Sequence, residues 1–207
     1  PGTTDATDAT VAVKDGTADV TSNYDVATAN GTLTVTSRDA KYEVTLKANS
    51  STGNVYDGAE KSAKGVEADR FVVDGVEYAV SGYLTQDPAE TAAGTYTNNV
   101  TGDFKVEDPA GNDVTSEFAV HTEDGALEIL PRPITVTANG GEKQYDGKPL
   151  TAAETGYAIG GEGLVEGHEA DVALSGSRTA PGTADATVAS VAVKDGTADV
   201  TSNYDVA

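Results

Sequence analysis

Three aspartates, Asp195, Asp199 and Asp205, lie close together in the stretch DGTADVTSNYD, and the same words near the start of the chain place Asp15, Asp19 and Asp25. Hard cations take oxygen ligands, so these carboxylates are the candidates for a calcium site. The spacing is not that of an EF-hand and no closing glutamate follows it. The competing reading is that each aspartate caps a turn through its own side chain. We expect no resident cofactor, with calcium the one cation worth a titration. Catalytic inventory is thin: two histidines, His121 and His168, far apart in sequence, no cysteine, and no Gly-x-Ser-x-Gly elbow. Both histidines are expected in exposed loops or at strand ends. The glycines of GGEGLVEG (160–167) miss the dinucleotide spacing by one residue and read as a loop. No catalytic residue is named, and an enzyme is not expected.

Tyr56 and Tyr145 each precede an Asp-Gly pair. Such tyrosines stack on sugars when exposed, but more commonly pack over the hairpin with the hydroxyl at its rim. A buried lysine beside an Asn or Asp, with an acid nearby, would close an internal amide in place of the absent disulfides; no pair is singled out.

What must position these groups is a β framework. The chain has 207 residues, 23 of them Gly, with 9 Tyr and 3 Phe as its aromatics, a composition that suits several small β cores better than one large one. Thirteen basic against 34 acidic residues leave a net charge of −21. That field repels phosphate backbones and anionic headgroups, so nucleic acid is not an expected partner. No apolar stretch reaches the roughly 18 residues a membrane helix needs, and membrane insertion is not expected. PGTTDATDAT has neither the basic start nor the apolar middle of a signal peptide; for an exported protein, signal and anchor would lie outside this window.

Residues 1–27 and 181–207 match at 24 of 27 positions, differing only at Thr4/Ala184, Asp8/Val188 and Thr10/Ser190. A second periodicity of about half that 180-residue offset is marked by Tyr-Asp-Gly at 56–58 and 145–147 and by Asp-Val-Thr-Ser beginning at Asp19, Asp113 and Asp199. This is the signature of a tandem array of two alternating versions. Residues 1–35 read as the C-terminal half of a version-two unit, 36–130 as a complete version-one unit, and 131–207 as a version-two unit lacking its last strand. Period-two alternation predicts strands at 42–46, 70–80, 104–108, 117–121, 126–130, 133–138, 171–176 and 191–196. Asp-Gly pairs at 74–75, 124–125 and 195–196 predict hairpin turns. A short helical turn is expected near 163–170. The fold class is all-β, as tandem immunoglobulin-like sandwiches or β-grasp-like modules arranged as an elongated rod.

KQYDGKPLTA (143–152), GEGLVEG (161–167), NYDVATANGTLTV (23–35) and PRPITVTA (131–138) resemble the MBG/YDG-type repeats of large bacterial surface proteins. Version one departs from that pattern, lacking Pro-Leu after its turn and carrying Glu-Phe for Asn-Tyr at 117–118. The resemblance implies a spacer repeat of an extracellular, cell-surface adhesin or fibre, with no catalytic residues. Pro131-Arg132-Pro133 is expected to stiffen the link between units. Neighbouring repeats are the expected partners, with head-to-tail strand exchange through Leu33 and Val35. The alternative function is a glycan- or host-protein-binding module using loops such as 84–102.

Overall fold

The computed structural model describes residues 2–6 and 10–207, so the sequence difference at position 8 lies outside it. The chain is all-β. Strands β1 (Gly2–Ala6), β2 (Lys14–Asp15), β3 (Ala18–Asp19) and β4 (Gly31–Val35) come first. Version one holds β5 (Tyr42–Lys47), β6 (Ser51–Val55), β7 (Lys61–Ser62), β8 (Arg70–Val73), β9 (Val76–Thr85), β10 (Ala89–Glu90), β11 (Gly94–Asn98), β12 (Val100–Glu107), β13 (Phe118–Glu123) and β14 (Gly125–Leu130). Version two holds β15 (Arg132–Ala138), β16 (Leu150–Thr151), the one-turn helix α1 (Ala152–Thr155), β17 (Tyr157–Gly161), β18 (His168–Ser175), β19 (Ser177–Arg178), β20 (Thr187–Asp195), β21 (Ala198–Asp199) and β22 (Tyr204–Val206).

Two compact units emerge, one of Pro1–Thr45, Asp69–Gly82 and Asp103–His121, the other of Leu46–Ala68, Tyr83–Gly102 and Thr122–Ala207. In the first, β1 and β4 pair antiparallel from Gly2 opposite Val35 to Ala6 opposite Gly31. β8 and β9 form a hairpin turned by Asp74 and Gly75, both at positive φ (50° and 81°), as a tight right-twisting turn requires. The buried Phe118 ring gathers Tyr42, Phe71 and Tyr78 at centroid distances of 5.4, 5.5 and 4.8 Å. Arg38 lies over the Tyr42 ring at 3.6 Å, a cation–π contact at the rim of this cluster.

In the second unit β14 lies between antiparallel β11 and parallel β6, and β15 between antiparallel β17 and parallel β22, while β18, β20 and β21 form an antiparallel sheet. The alternating apolar residues Leu127, Ile129, Ile134 and Val136 all point into one buried cluster, the period-two consequence of strands with one face inward. The two versions repeat each other bond for bond here. Asn49 N–H donates to the Gly65 carbonyl at 3.0 Å as Asn139 N–H does to Gly156 at 2.9 Å. Ala63 N–H donates to Pro88 as Ala152 N–H does to Gly176.

Three local expectations need correction. Asp124-Gly125 makes no hairpin: Gly125 opens β14, and a Cβ there would come within 2.2 Å of the Asn49 carbonyl oxygen. That glycine serves a close backbone approach instead of a turn. Residues 163–167 form a loop and turn leading into β18, and the helical turn stands at Ala152–Thr155. There Thr151 and Glu154 make a reciprocal capping box. Finally, 84–102 is not one open loop, since β10 and β11 occupy much of it and Asn98 is fully buried.

Candidate functional site

The structure does not bring the three candidate aspartates together. Asp199 accepts a hydrogen bond from Thr201 N–H at 2.9 Å, and the Thr201 hydroxyl oxygen in turn accepts Val193 N–H at 2.8 Å. Both earlier copies of the motif do the same: Asp19 with Thr21 and Val13, and Asp113 with Thr115 and Val106. These hydrogen bonds from threonine hydroxyl and N–H hold the carboxyls of Asp19, Asp113 and Asp199 below the usual aspartate range, because each stabilises the ionised form. Asp195 ends β20 with its carboxylate largely exposed, 4.0 Å from His168. Asp205 stands exposed on β22 opposite Pro133. Among the described residues no three acids or histidines are grouped to hold a metal ion. No described lysine is buried either, and an internal amide needs one that is.

A different constellation is built at the boundary between versions one and two, inside the second unit. Tyr56, from the first Tyr-Asp-Gly, is 4% exposed and meets Tyr204 of β22 edge-on, with centroids 5.6 Å apart and planes at 76°. That is a favoured aromatic geometry. The Tyr204 hydroxyl oxygen accepts Val165 N–H at 3.1 Å and pairs with His168 Nδ1 at 2.7 Å. His168 is therefore buried at the start of β18, with a side chain 6% exposed, a correction to its expected surface position. His121 is exposed and pairs with Glu43. Buried Asn203 accepts Ala93 N–H at 2.8 Å and hydrogen-bonds the Tyr56 phenol, which burial and the neighbouring Tyr204 nonetheless push upward in pKa.

Arg132 closes this boundary. Its Nε donates to the Gly163 carbonyl at 2.7 Å, Nη2 to Glu162 at 2.6 Å and Nη1 to Tyr56 at 3.5 Å, with the Glu162 carboxylate 3.2 Å from Nη1. A planar guanidinium serves such a fork because its donors are fixed in one plane. Pro131 and Pro133 flank it, and β14 and β15 run on either side, so the segment between the versions is extended on both flanks. The hydrophobic cluster is continuous through the boundary: Tyr56, Ala63, Leu127 and Ile129 precede it, and Ile134, Val136, Val193 and Tyr204 follow it. The chemistry of this arrangement is cohesion, with each polar tip answered by a partner inside the joint.

The sequence analysis passed over Tyr204, His168, Asn203 and Arg132 as members of one site. The available signal was the Arg held between two prolines and the Asn-Tyr pair returning 180 residues after Asn23-Tyr24. The two Tyr-Asp-Gly tyrosines part company: Tyr56 packs as expected of a tyrosine beside a turn, whereas Tyr145 is 70% exposed. Tyr24, which matches Tyr204 in sequence, is 59% exposed where Tyr204 is 6%. Comparison with known proteins gives no match among family models, curated proteins or solved structures.

Proposed function

We propose that this chain is a spacer: tandem MBG/YDG-like β repeats that project a binding element from a bacterial cell surface. The observation that carries the reading is the joint between versions one and two. A hydrophobic cluster crosses the boundary at Pro131, with Tyr56 against Tyr204 and Arg132 forked onto Glu162 and Gly163. A linker that only tethers needs none of this, because exposed, mobile connections are the default between domains. A spacer does need it, since length is transmitted only through joints that resist bending. The sandwich or grasp topology of each module and their arrangement as a rod belong to the same proposal. So do the extracellular location and the role of the −21 charge in keeping neighbouring stalks apart.

Small-angle scattering of the 207-residue chain tests the reading. A spacer gives a radius of gyration well above the ~17 Å of a compact domain of this length, and a value near ~17 Å would overturn it. Specific retention on a glycan or host-protein array, lost on changing residues 84–102, would favour the binding module instead.

A further inference from the structure

In version one the closing strand β14 fills a slot between β11 and β6. Its Leu127 and Ile129 are 0% and 2% exposed, in the same cluster as Ala63. In version two the matching walls are present without a strand between them. Residues 140–144 take the place of β6, one turn before the Tyr-Asp-Gly, and 182–186 take the place of β11; among the described residues neither is in a strand. Between them runs a groove of about 880 Å³, lined by both segments and floored by Leu150, Ala152 and Thr155. Ala152 is the counterpart of Ala63. The Arg178 guanidinium braces the second wall by donating to the carbonyls of Ala180 and Pro181.

The chain also carries the strand that fits. β4, GTLTV, corresponds to GALEI of β14, and its Leu33 and Val35 are 67% and 70% exposed where Leu127 and Ile129 are buried. β4 pairs with β1 in the register that β14 uses with β11: Gly2 opposite Val35 and Ala6 opposite Gly31, as Gly94 opposes Ile129 and Asn98 opposes Gly125. The wall at 182–186 repeats the β1 sequence with Ala184 for Thr4 as the one change. The groove wall is thus a second copy of the strand β4 already recognises.

We propose that the version-two groove is a strand-acceptor site and that a second copy of this chain occupies it through β4. The donor runs antiparallel to 182–186 and parallel to 140–144, placing Val35 opposite Gly182, Leu33 opposite Ala184 and Gly31 opposite Ala186. Leu33 and Val35 enter the groove as Leu127 and Ile129 enter theirs. Backbone hydrogen bonds supply affinity and the alternate side chains supply register, as in other strand additions. Donor and acceptor are different surfaces, so the contact is heterologous and propagates head to tail. The inference does not depend on the spacer reading.

Because the chain has no cysteine, engineered thiols report the register. Leu33→Cys and Ala184→Cys chains, each full length, are mixed and oxidised; directly opposed residues lie within disulfide reach. The expected product is a disulfide-linked heterodimer, absent when Thr34→Cys, one residue out of register and on the other face, replaces Leu33→Cys. Sedimentation of the unmodified chain should show concentration-dependent association. Appending residues 28–36 after Ala207, so that each chain carries its own closing strand, should abolish it. A chain that stays monomeric at high concentration, equal linkage from positions 33 and 34, or association that survives the appended strand would each overturn the proposal. So would a double variant, Leu33→Cys with Ala184→Cys, that links only within one chain.

Discussion

Replacing Tyr56 and Tyr145 separately by alanine perturbs two copies of one motif in opposite surroundings. Tyr56 is 4% exposed, edge-on to Tyr204, and hydrogen-bonded to Asn203; Tyr145 is 70% exposed. Truncating a buried aromatic costs about 3–5 kcal/mol, the transfer of the ring and the cavity left behind together, of which the edge-on ring pair accounts for about 0.5–1.5 kcal/mol. An exposed position costs within about 0.5 kcal/mol. At roughly 2–4 °C per kcal/mol for a chain of this size, Tyr56→Ala should lower the melting temperature by roughly 6–20 °C and Tyr145→Ala by roughly 2 °C or less. Tyr56→Phe keeps the ring, strands Asn203 of one partner and should cost about 1 kcal/mol. The assay is urea and thermal unfolding followed by circular dichroism, with each transition fitted separately where the curve is not two-state. Equal losses at Tyr56 and Tyr145 would refute the claim that the joint makes them different.

Gly125→Ala should destabilise by about 3 kcal/mol or more, since its Cβ would sit 2.2 Å from the Asn49 carbonyl oxygen; Gly140→Ala, with nothing within 4 Å, should be neutral in the same melts. Asp113 and Asp199 have folded pKa values below the ordinary 3.8. Their contribution is therefore fully present above that value and is lost as pH falls through the lower folded one. Melting temperature should hold from pH 7 to about pH 5 and drop below about pH 4, and the double Asp→Asn variant should show a shallower drop. Arg132→Ala should lose about 1–3 kcal/mol by leaving the Glu162 and Gly163 carbonyls unmatched, and Arg132→Lys should recover only part of it because an ammonium cannot span the fork. Calcium and chelator should leave the melting temperature unchanged, since Asp199 is engaged with Thr201 and stands apart from Asp205; a rise with calcium would restore the cation site.

The strands were legible because alternation is a local signal: YEVTL, ALEIL and PITVTA each show which residues face inward. The hairpin at Asp74-Gly75 was legible for the same reason. The Asp124-Gly125 pair carries identical turn chemistry, yet the strand after it pairs with β6 and β11 instead of folding back on β13. Tertiary pairing overrode the local preference. Tyr56 and Tyr145 show the limit most clearly, since three identical residues cannot encode a difference in burial that depends on what packs over them. His168 was misread because its partner, Tyr204, lies 36 residues away and meets it only once β18 and β22 are in place. The Asp-Val-Thr-Ser motif was half legible: capping by the aspartate follows from its type, but the strand amide that each threonine accepts does not.

Native-state hydrogen exchange on the intact chain tests the central claim, that versions one and two are joined by a cooperative core. Four amides report on the joint: Tyr56 N–H to Leu130, Ala93 N–H to Asn203, Val165 N–H to Tyr204 and Glu162 N–H to Pro133. Core amides of Ile129, Ile134 and Val193 set the reference for opening of the buried cluster. A continuous core predicts that Tyr56, Ala93 and Val165 exchange with the same opening free energy as that reference and fall together with it as urea is added. If those three amides instead exchange through a low-energy opening while Ile129 and Val193 remain protected, the joint is a hinge, and the spacer account is contradicted.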